Sequence, residues 1–169
     1  DVEADRPWPV SFDVNYRPAL WSGCSAADVL RSLAERADIV LVGLDEAQAL
    51  WGEGLGDARA VRDLLSGPQI LVVKDGARAA TAFAGTEVHS VPALTVRVTE
   101  PVGAGDAFAA GFLSGLLRGM PVRRALRLGH LTAASALRVS ADRGPLPAPE
   151  VVASLLDAEQ DVWRAAAFG

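Results

Sequence analysis

Between Thr99 and Phe108 the chain reads Thr99-Glu100-Pro101-Val102-Gly103-Ala104-Gly105-Asp106-Ala107-Phe108, a glycine-rich turn that runs into a long apolar stretch. A helix starting here leaves its first N–H groups without intrahelical acceptors and carries partial positive charge. Gly103, Ala104 and Gly105 can therefore present donors to an anion with no bulky side chain in the way. Asp106 stands at the mouth of that cradle. A carboxylate beside a bound phosphate is placed to take a proton from a hydroxyl while a phosphoryl group is transferred. The same residues also suit a plain turn with Asp106 as a helix cap, and so short a motif does not choose between the two.

Three other groups could do chemistry. Polar side chains alternate at Asp13, Asn15 and Arg17 ahead of Pro18. In an extended chain they share one face at a strand's carboxyl end, where ligands of open α/β sheets collect. A turn with an Asp/Asn cap and an exposed Arg accounts for them as well. Asp45 and Glu46 open a helical pattern, where the helix dipole favours carboxylates, so capping is the plain account of Asp45. Lys74, the one lysine among 16 Lys and Arg residues, ends an apolar run just before the turn dipeptide Asp75-Gly76.

Composition limits what can surround these residues. Half of the 169 residues are hydrophobic, enough for one domain with a real core and too many for a disordered chain. The net charge is -5 and no basic block is present, which disfavours nucleic acid or an anionic membrane as partner. An anion site must then be built from backbone. A single cysteine, Cys24, forms no internal disulfide and fits a reducing cytoplasm, with a buried thiol as its simplest role. No secretory signal, metal-spaced Cys/His cluster or membrane-length apolar run is found. Gly111 and Gly115, four residues apart, point to close packing against another soluble element. The chain opens Asp1-Val2-Glu3 rather than with Met, so it is expected to be part of something longer.

The elements that must position the groups follow from periodicity. After an acidic lead-in over residues 1–8, a strand is expected at Val10–Val14 and a helix at Ser25–Arg36, on its capping serine and the apolar Val29, Leu30 and Leu33. The unbroken apolar run Ile39–Gly43 reads as a buried parallel strand. A helix from Asp45 puts Ala49, Leu50 and Trp51 inward, and Gly52–Gly56 breaks it. Val61–Leu65 belongs to a short amphipathic helix. Ile70–Lys74 is a second buried strand, and Ala79–Phe83 returns from the Asp75-Gly76 turn as a hairpin. Val88–Val91 and Leu94–Val98 are short strands separated by Pro92. From Asp106 to about Arg118 the pattern is a helix with Phe108, Phe112 and Leu116 on one stripe and Ala109, Leu113 and Leu117 on the next, buried on most sides. Pro121 begins another, with Leu126, Ala133, Ala136 and Leu137 inward and Arg123, Arg124 and Arg127 outward. A last helix runs from Pro149 or Glu150 to about Ala158, and the tail is unassigned. Strands alternating with helices make an α/β layered domain, its parallel strands covered on both faces, with one antiparallel edge.

With these segments in order, Gly103-Ala104-Gly105-Asp106-Ala107-Phe108, followed by Phe112 and Gly115, resembles the signature of the ribokinase-like (PfkB-type) carbohydrate kinases. Asp13-Val14-Asn15-Tyr16-Arg17-Pro18-Ala19-Leu20-Trp21 resembles the 2-keto-3-deoxygluconate kinase branch, and the likeness covers residues 9–158. It implies a three-layer α/β/α fold with a mostly parallel sheet, residues 1–169 being the C-terminal, nucleotide-binding half. Family members are about twice as long, and the half carrying most sugar contacts and the lid is missing.

The resemblance makes Asp106 the catalytic base that deprotonates the attacking sugar hydroxyl, with Gly103, Ala104 and Gly105 as the anion hole for charge on the transferring phosphoryl group. Position rather than basicity would then be the lever, as a loose transition state allows. Arg17 would read the substrate, since a guanidinium fork matches the carboxylate of a sugar acid, and Asn15 would support it. Lys74, Gly76, Ala77, Arg78 and Ala79 correspond to the loop along the adenine nucleotide, with Gly105 also at its phosphates. Ala79 replaces the usual second glycine. Lys74 could face phosphate or snorkel at a strand end. The family's Asn-x-x-Glu segment stands here as Asp45-Glu46-Ala47-Gln48 with acid and amide exchanged, so Asp45 is assigned to the nucleotide, and Asp45 and Gln48 are candidates for indirect help to a metal whose ligands are not fixed. Glu100 stands where Asp is usual. His130 falls about where an adenine-side Asn would, with a packed helix histidine as the alternative. The cofactors implied are ATP and Mg2+, with a monovalent cation left open. The setting implied is cytoplasmic, with a homo-oligomer at full length.

Overall fold

The computed structural model describes residues 7–21, 25–140 and 144–168; Cys24 and most of the acidic lead-in lie outside them. The chain divides into two compact units, Asp1–Gly76 with Thr81–Val88, and Ala77–Ala80 with His89–Gly169. One five-stranded sheet has the order β1 (Ser11–Asp13), β2 (Ile39–Gly43), β3 (Ile70–Asp75), β4 (Ala79–Ala84), β5 (Glu87–Pro92). β1, β2 and β3 are parallel. β4 and β5 each follow a turn of two or three residues, too short for a crossover, so they run antiparallel to their predecessors.

In the first unit, helices α1 (Ala26–Glu35), α2 (Leu44–Trp51) and α3 (Ala58–Leu64) fill the connections. The register places Val40 beside Leu71 and Val42 beside Val73, so these four share a face. They are fully buried with Leu30, Ala34, Leu44, Ala47, Val61 and Leu65 in one core cluster. Leu41 and Val72, on the opposite face, are equally buried, which is why β2 and β3 read as unbroken apolar runs. Ser25 Oγ accepts from the Asp28 N–H and Asp57 Oδ1 from the Ala60 N–H, and such caps are worth about 1 kcal/mol each. The inward faces are narrower than the apolar residues alone suggest. Val29 and Leu33 are exposed, because α1 rests on the Leu30/Ala34 row. Ala49 is exposed too, since α2 packs through Leu44 and Ala47, while Trp51 is half-buried and its Nε1 donates to the Ala27 carbonyl at 3.0 Å.

The second unit is built on α4 (Ala104–Leu117) and α5 (Val122–Leu137). They pack close because each supplies glycine at the contact. A Cβ on Gly129 would lie 3.0 Å from the Phe108 ring, one on Gly115 3.0 Å from Ala125 Cα, and one on Gly111 2.8 Å from the Leu128 carbonyl oxygen. The two stripes expected on α4 are not equivalent. Phe108 and Phe112 are buried, whereas Leu117 is 85% exposed, because the contact with α5 engages only the glycine and phenylalanine side. Arg127 is a second correction: it is only 4% exposed rather than outward. Its Nη1 donates to the carbonyls of Leu155 (3.3 Å) and Leu156 (2.9 Å), and its guanidinium lies 5.0 Å over the Trp163 ring.

Those partners belong to α6 (Pro149–Asp157) and to α7 (Gln160–Ala165), a helix in the tail that periodicity left unassigned. Trp163 is fully buried and donates through Nε1 to the Pro92 carbonyl at 2.8 Å. The tail ends in β7 (Ala167–Phe168), parallel to β6, which spans only Thr95–Val96 rather than Leu94–Val98.

Candidate functional site

α4 begins two residues earlier than its apolar pattern, at Ala104, because Gly103 turns the chain with a left-handed φ of 83°. Nothing lies within 4 Å of where a Cβ on Gly103 would sit, so the turn faces open space. Gly103 oxygen accepts the Ala107 N–H at 2.9 Å, and the N–H groups of Gly105 and Asp106 fall in the first turn, where a helix has no acceptor for them. Asp106 and Gly105 are exposed and Ala104 half-buried. The geometry is therefore an exposed helix start with free backbone donors and one carboxylate beside them. The Glu100 carboxylate braces the approach by accepting the Val102 N–H at 3.1 Å, and the Leu137 carbonyl accepts from Thr99 N at 2.7 Å.

The level of this turn is set by a residue that sequence reasoning missed. Thr132 on α5 places its hydroxyl 2.7 Å from the carbonyl oxygen of Ala107, next to Asp106, and within 3.0 Å of the Leu128 and Gly129 carbonyls. One proton serves three acceptors, and the contact needs the room that Gly111 leaves. His130, two residues before Thr132 and on another face of α5, is only 6% exposed. Its Nε2 sits 3.0 Å from the Val91 carbonyl and its ring stands edge-on to Phe108 at 5.1 Å. Burial pushes its pKa down to about 4, against a smaller upward pull from the Val91 carbonyl. It is a packed neutral histidine.

The second group lies in the first unit, where β1, β2 and β3, being parallel, bring their carboxyl ends to one edge. Lys74 Nζ reaches back to Asp13, 3.1 and 3.2 Å from its two carboxylate oxygens, with both side chains about one-fifth exposed. The extended alternation expected through Arg17 breaks at Asn15, whose φ of 39° is the one positive value at a non-glycine among the described residues. Asn15 and Arg17 are exposed, and among the described residues no carboxylate pairs with the Arg17 guanidinium. Glu46, the other residue that the sequence undervalued, accepts the Tyr16 N–H at 2.9 Å and the Gly43 N–H at 2.7 Å.

The remaining assigned residues sort as follows. Asp45 is exposed in the first turn of α2, whereas Gln48 donates from Nε2 to the Leu55 carbonyl at 3.0 Å and so closes the loop after α2. Gly76 takes a φ of 50° with open space around it, as a close backbone approach requires. Ala77 and Arg78 complete that turn, and Ala79 opens β4 with an ordinary strand backbone, so a second glycine has no conformational task here. Among the described residues no cluster of three or more His, Cys, Asp or Glu is placed to hold a metal ion, and no helix is long and apolar enough to cross a membrane.

A helix start with free backbone donors and a carboxylate beside them suits phosphoryl chemistry, and comparison with known proteins gives it a family. Residues 5–149 match the model of the pfkB family carbohydrate kinases. The chain belongs to that family. It is 34% identical over 157 residues to a 2-dehydro-3-deoxygluconokinase of Bacillus subtilis (strain 168), covering 92% of this chain and 48% of that protein. A protein of the same name from Thermoproteus tenax is 38% identical over 152 residues, covering 88% of this chain and 46% of the relative. The chain thus spans about half the length of these relatives. Among solved structures, aminoimidazole riboside kinase from Salmonella enterica, complexed with aminoimidazole riboside and an ATP analog, superposes with a TM-score of 0.74 at 29% identity, covering 88% of this chain and 52% of that one. The ribokinase-like fold expected from the signature is thereby borne out.

Proposed function

We propose that this chain is the nucleotide-binding, C-terminal half of a kinase that transfers the γ-phosphoryl group of ATP to a hydroxyl of a sugar acid, most specifically 2-keto-3-deoxygluconate, giving its 6-phosphate. The observation that carries the reading is the exposed Asp106 carboxylate in the first turn of α4, three residues after the left-handed Gly103. Asp106 takes the hydroxyl proton, and the Gly103–Gly105 backbone donors face the charge that spreads over the transferring group. Arg17, exposed and paired with no carboxylate among the described residues, grips the substrate carboxylate in two parallel hydrogen bonds, and Asn15 beside it supports the grip. The Gly76–Ala79 turn runs along the nucleotide, and Lys74, held by Asp13, defines the strand edge near it. Asp45, exposed at the head of α2, and Gln48 one turn on would give indirect help to Mg2+, which when bound would supply neutralisation of phosphate charge. The reaction belongs to the cytoplasm, and the full-length enzyme is taken to be a homo-oligomer.

A neutral-sugar kinase is the second reading, favoured by the likeness to a kinase solved with a riboside. A third, nucleotide binding without catalysis, applies to the 169-residue chain by itself. Sugar-dependent ADP release, measured on the chain joined to the N-terminal half and on the chain alone, separates these. Turnover of 2-keto-3-deoxygluconate by the joined protein is the expected result, and ADP release that never responds to any sugar would sink the kinase reading.

A further inference from the structure

Glycine dominates the contact between α4 and α5. Gly111, Gly115 and Gly129 let the two backbones approach, and the Phe108 ring lies against Gly129 and edge-on to His130. Contacts of this kind fix how near the helices come, but they resist sliding along the axes only weakly, because dispersion has no preferred direction. One contact is directional. The Thr132 hydroxyl lies 2.7 Å from the Ala107 carbonyl oxygen on α4, nearer than the 3.0 and 2.9 Å to the Leu128 and Gly129 carbonyls of its own helix. A threonine inside a helix ordinarily returns its proton to the preceding turn of that helix. Here the shortest contact crosses to α4, and Gly111 leaves the space for it, since a Cβ there would meet Thr132 Oγ1 before any other atom. The residue gripped on α4 matters as well. Ala107 follows Asp106, and its N–H closes the first turn on the Gly103 oxygen at 2.9 Å.

We propose that Thr132 is a positioning residue for phosphoryl transfer: its hydroxyl, bonded to the Ala107 carbonyl, sets the level of the α4 start along α5 and with it the place of the Asp106 carboxylate. The inference rests on the reading of Asp106 as the base given above. A proton taken in a loose transition state depends on where the carboxylate stands more than on how basic it is. A displacement of a fraction of an ångström therefore shows in kcat before it shows in binding. Thr132 acts through the backbone of Ala107, and its signature is a lower kcat with the KM values for sugar and nucleotide retained.

The test is steady-state kinetics of the full-length kinase with ATP and 2-keto-3-deoxygluconate, in Thr132→Val, Thr132→Ala, Thr132→Ser and Asp106→Asn. Valine keeps the shape but puts a methyl where the hydroxyl stood 2.7 Å from an oxygen, and a carbon there needs about 3.3 Å. Alanine removes the bond and adds no atom, so it covers the case in which the valine methyl unsettles the fold. Both are expected to lower kcat about tenfold, with both KM values within about twofold of the parent. Serine keeps the hydroxyl and should hold kcat within about twofold. In the Asp106→Asn background Thr132→Val should add less than about a twofold loss, because the base is already gone. A kcat retained in the valine and alanine variants, with or without a lower melting temperature, overturns the proposal and leaves the Asp106 reading intact. So does a loss that serine shares, a loss carried by KM, or a full tenfold loss added to Asp106→Asn. If Asp106→Asn itself turns over like the parent, it is the reading of Asp106 that fails, and the proposal with it.

Discussion

Asp106 combines exposure with a place in a turn of unsatisfied donors, and its charge is what the proposed chemistry needs. Asp106→Asn keeps the shape and removes the base, so kcat is expected to fall by about 10²–10⁴-fold while nucleotide binding, read by calorimetry, stays nearly unchanged. Retained turnover would remove Asp106 as base. His130 makes a different kind of prediction. Its folded pKa of about 4 lies below the ordinary value of 6.5, so the unfolded chain binds the proton first as pH falls. The stability tied to neutral His130 is then full above about pH 6.5 and drains away towards pH 4, a loss of about 3 kcal/mol. Urea midpoints followed over that range should fall with pH in the parent and fall less in His130→Gln; parallel curves would contradict the assignment. Glycine, aspartate and arginine at those spacings also suit plain turns and caps, so it was the family signature that singled them out as candidates. Glu46 and Thr132 were not singled out: besides local partners, each holds a backbone group 30 or 25 residues away, brought near only by the fold.

At the scale of elements, the strands and the starts of helices up to α6 followed from apolar runs and caps within a few residues, whereas α7 and β7 in the tail did not. Inward faces were less legible, because periodicity says that a stripe exists but not how wide its neighbour is. Leu117 shares the helical pattern of Phe112, yet α5 contacts only the glycine side of α4. Arg127 looked like part of a solvated arginine face until α6 and α7 covered it, and nothing in the polar tail except Trp163 signalled a docking helix. The glycine contact is also how α4 holds the site. Gly111→Ala places a methyl against the Leu128 carbonyl and the Thr132 hydroxyl, so it is expected to destabilise the chain by about 1–3 kcal/mol, seen as a lower denaturant midpoint. An unchanged midpoint would mean that the helices approach less closely than the glycines permit.

For the whole molecule, the chain matches about half the length of its relatives, and within that half stand the residues proposed as base, anion cradle and substrate reader. Fold and family were legible because the Gly103–Asp106 signature falls at a fixed place after the parallel strands. The sugar-acid reading rests on one side chain, Arg17, and the central claim turns on it. The most direct measurement is kcat/KM of the full-length enzyme for 2-keto-3-deoxygluconate and for fructose or ribose, with and without Arg17→Ala. The account predicts a strong preference for the acidic sugar that collapses by about 10²-fold in the variant, while the neutral sugars change little. Equal loss on both classes, or a parent enzyme that prefers the neutral sugar, would contradict it.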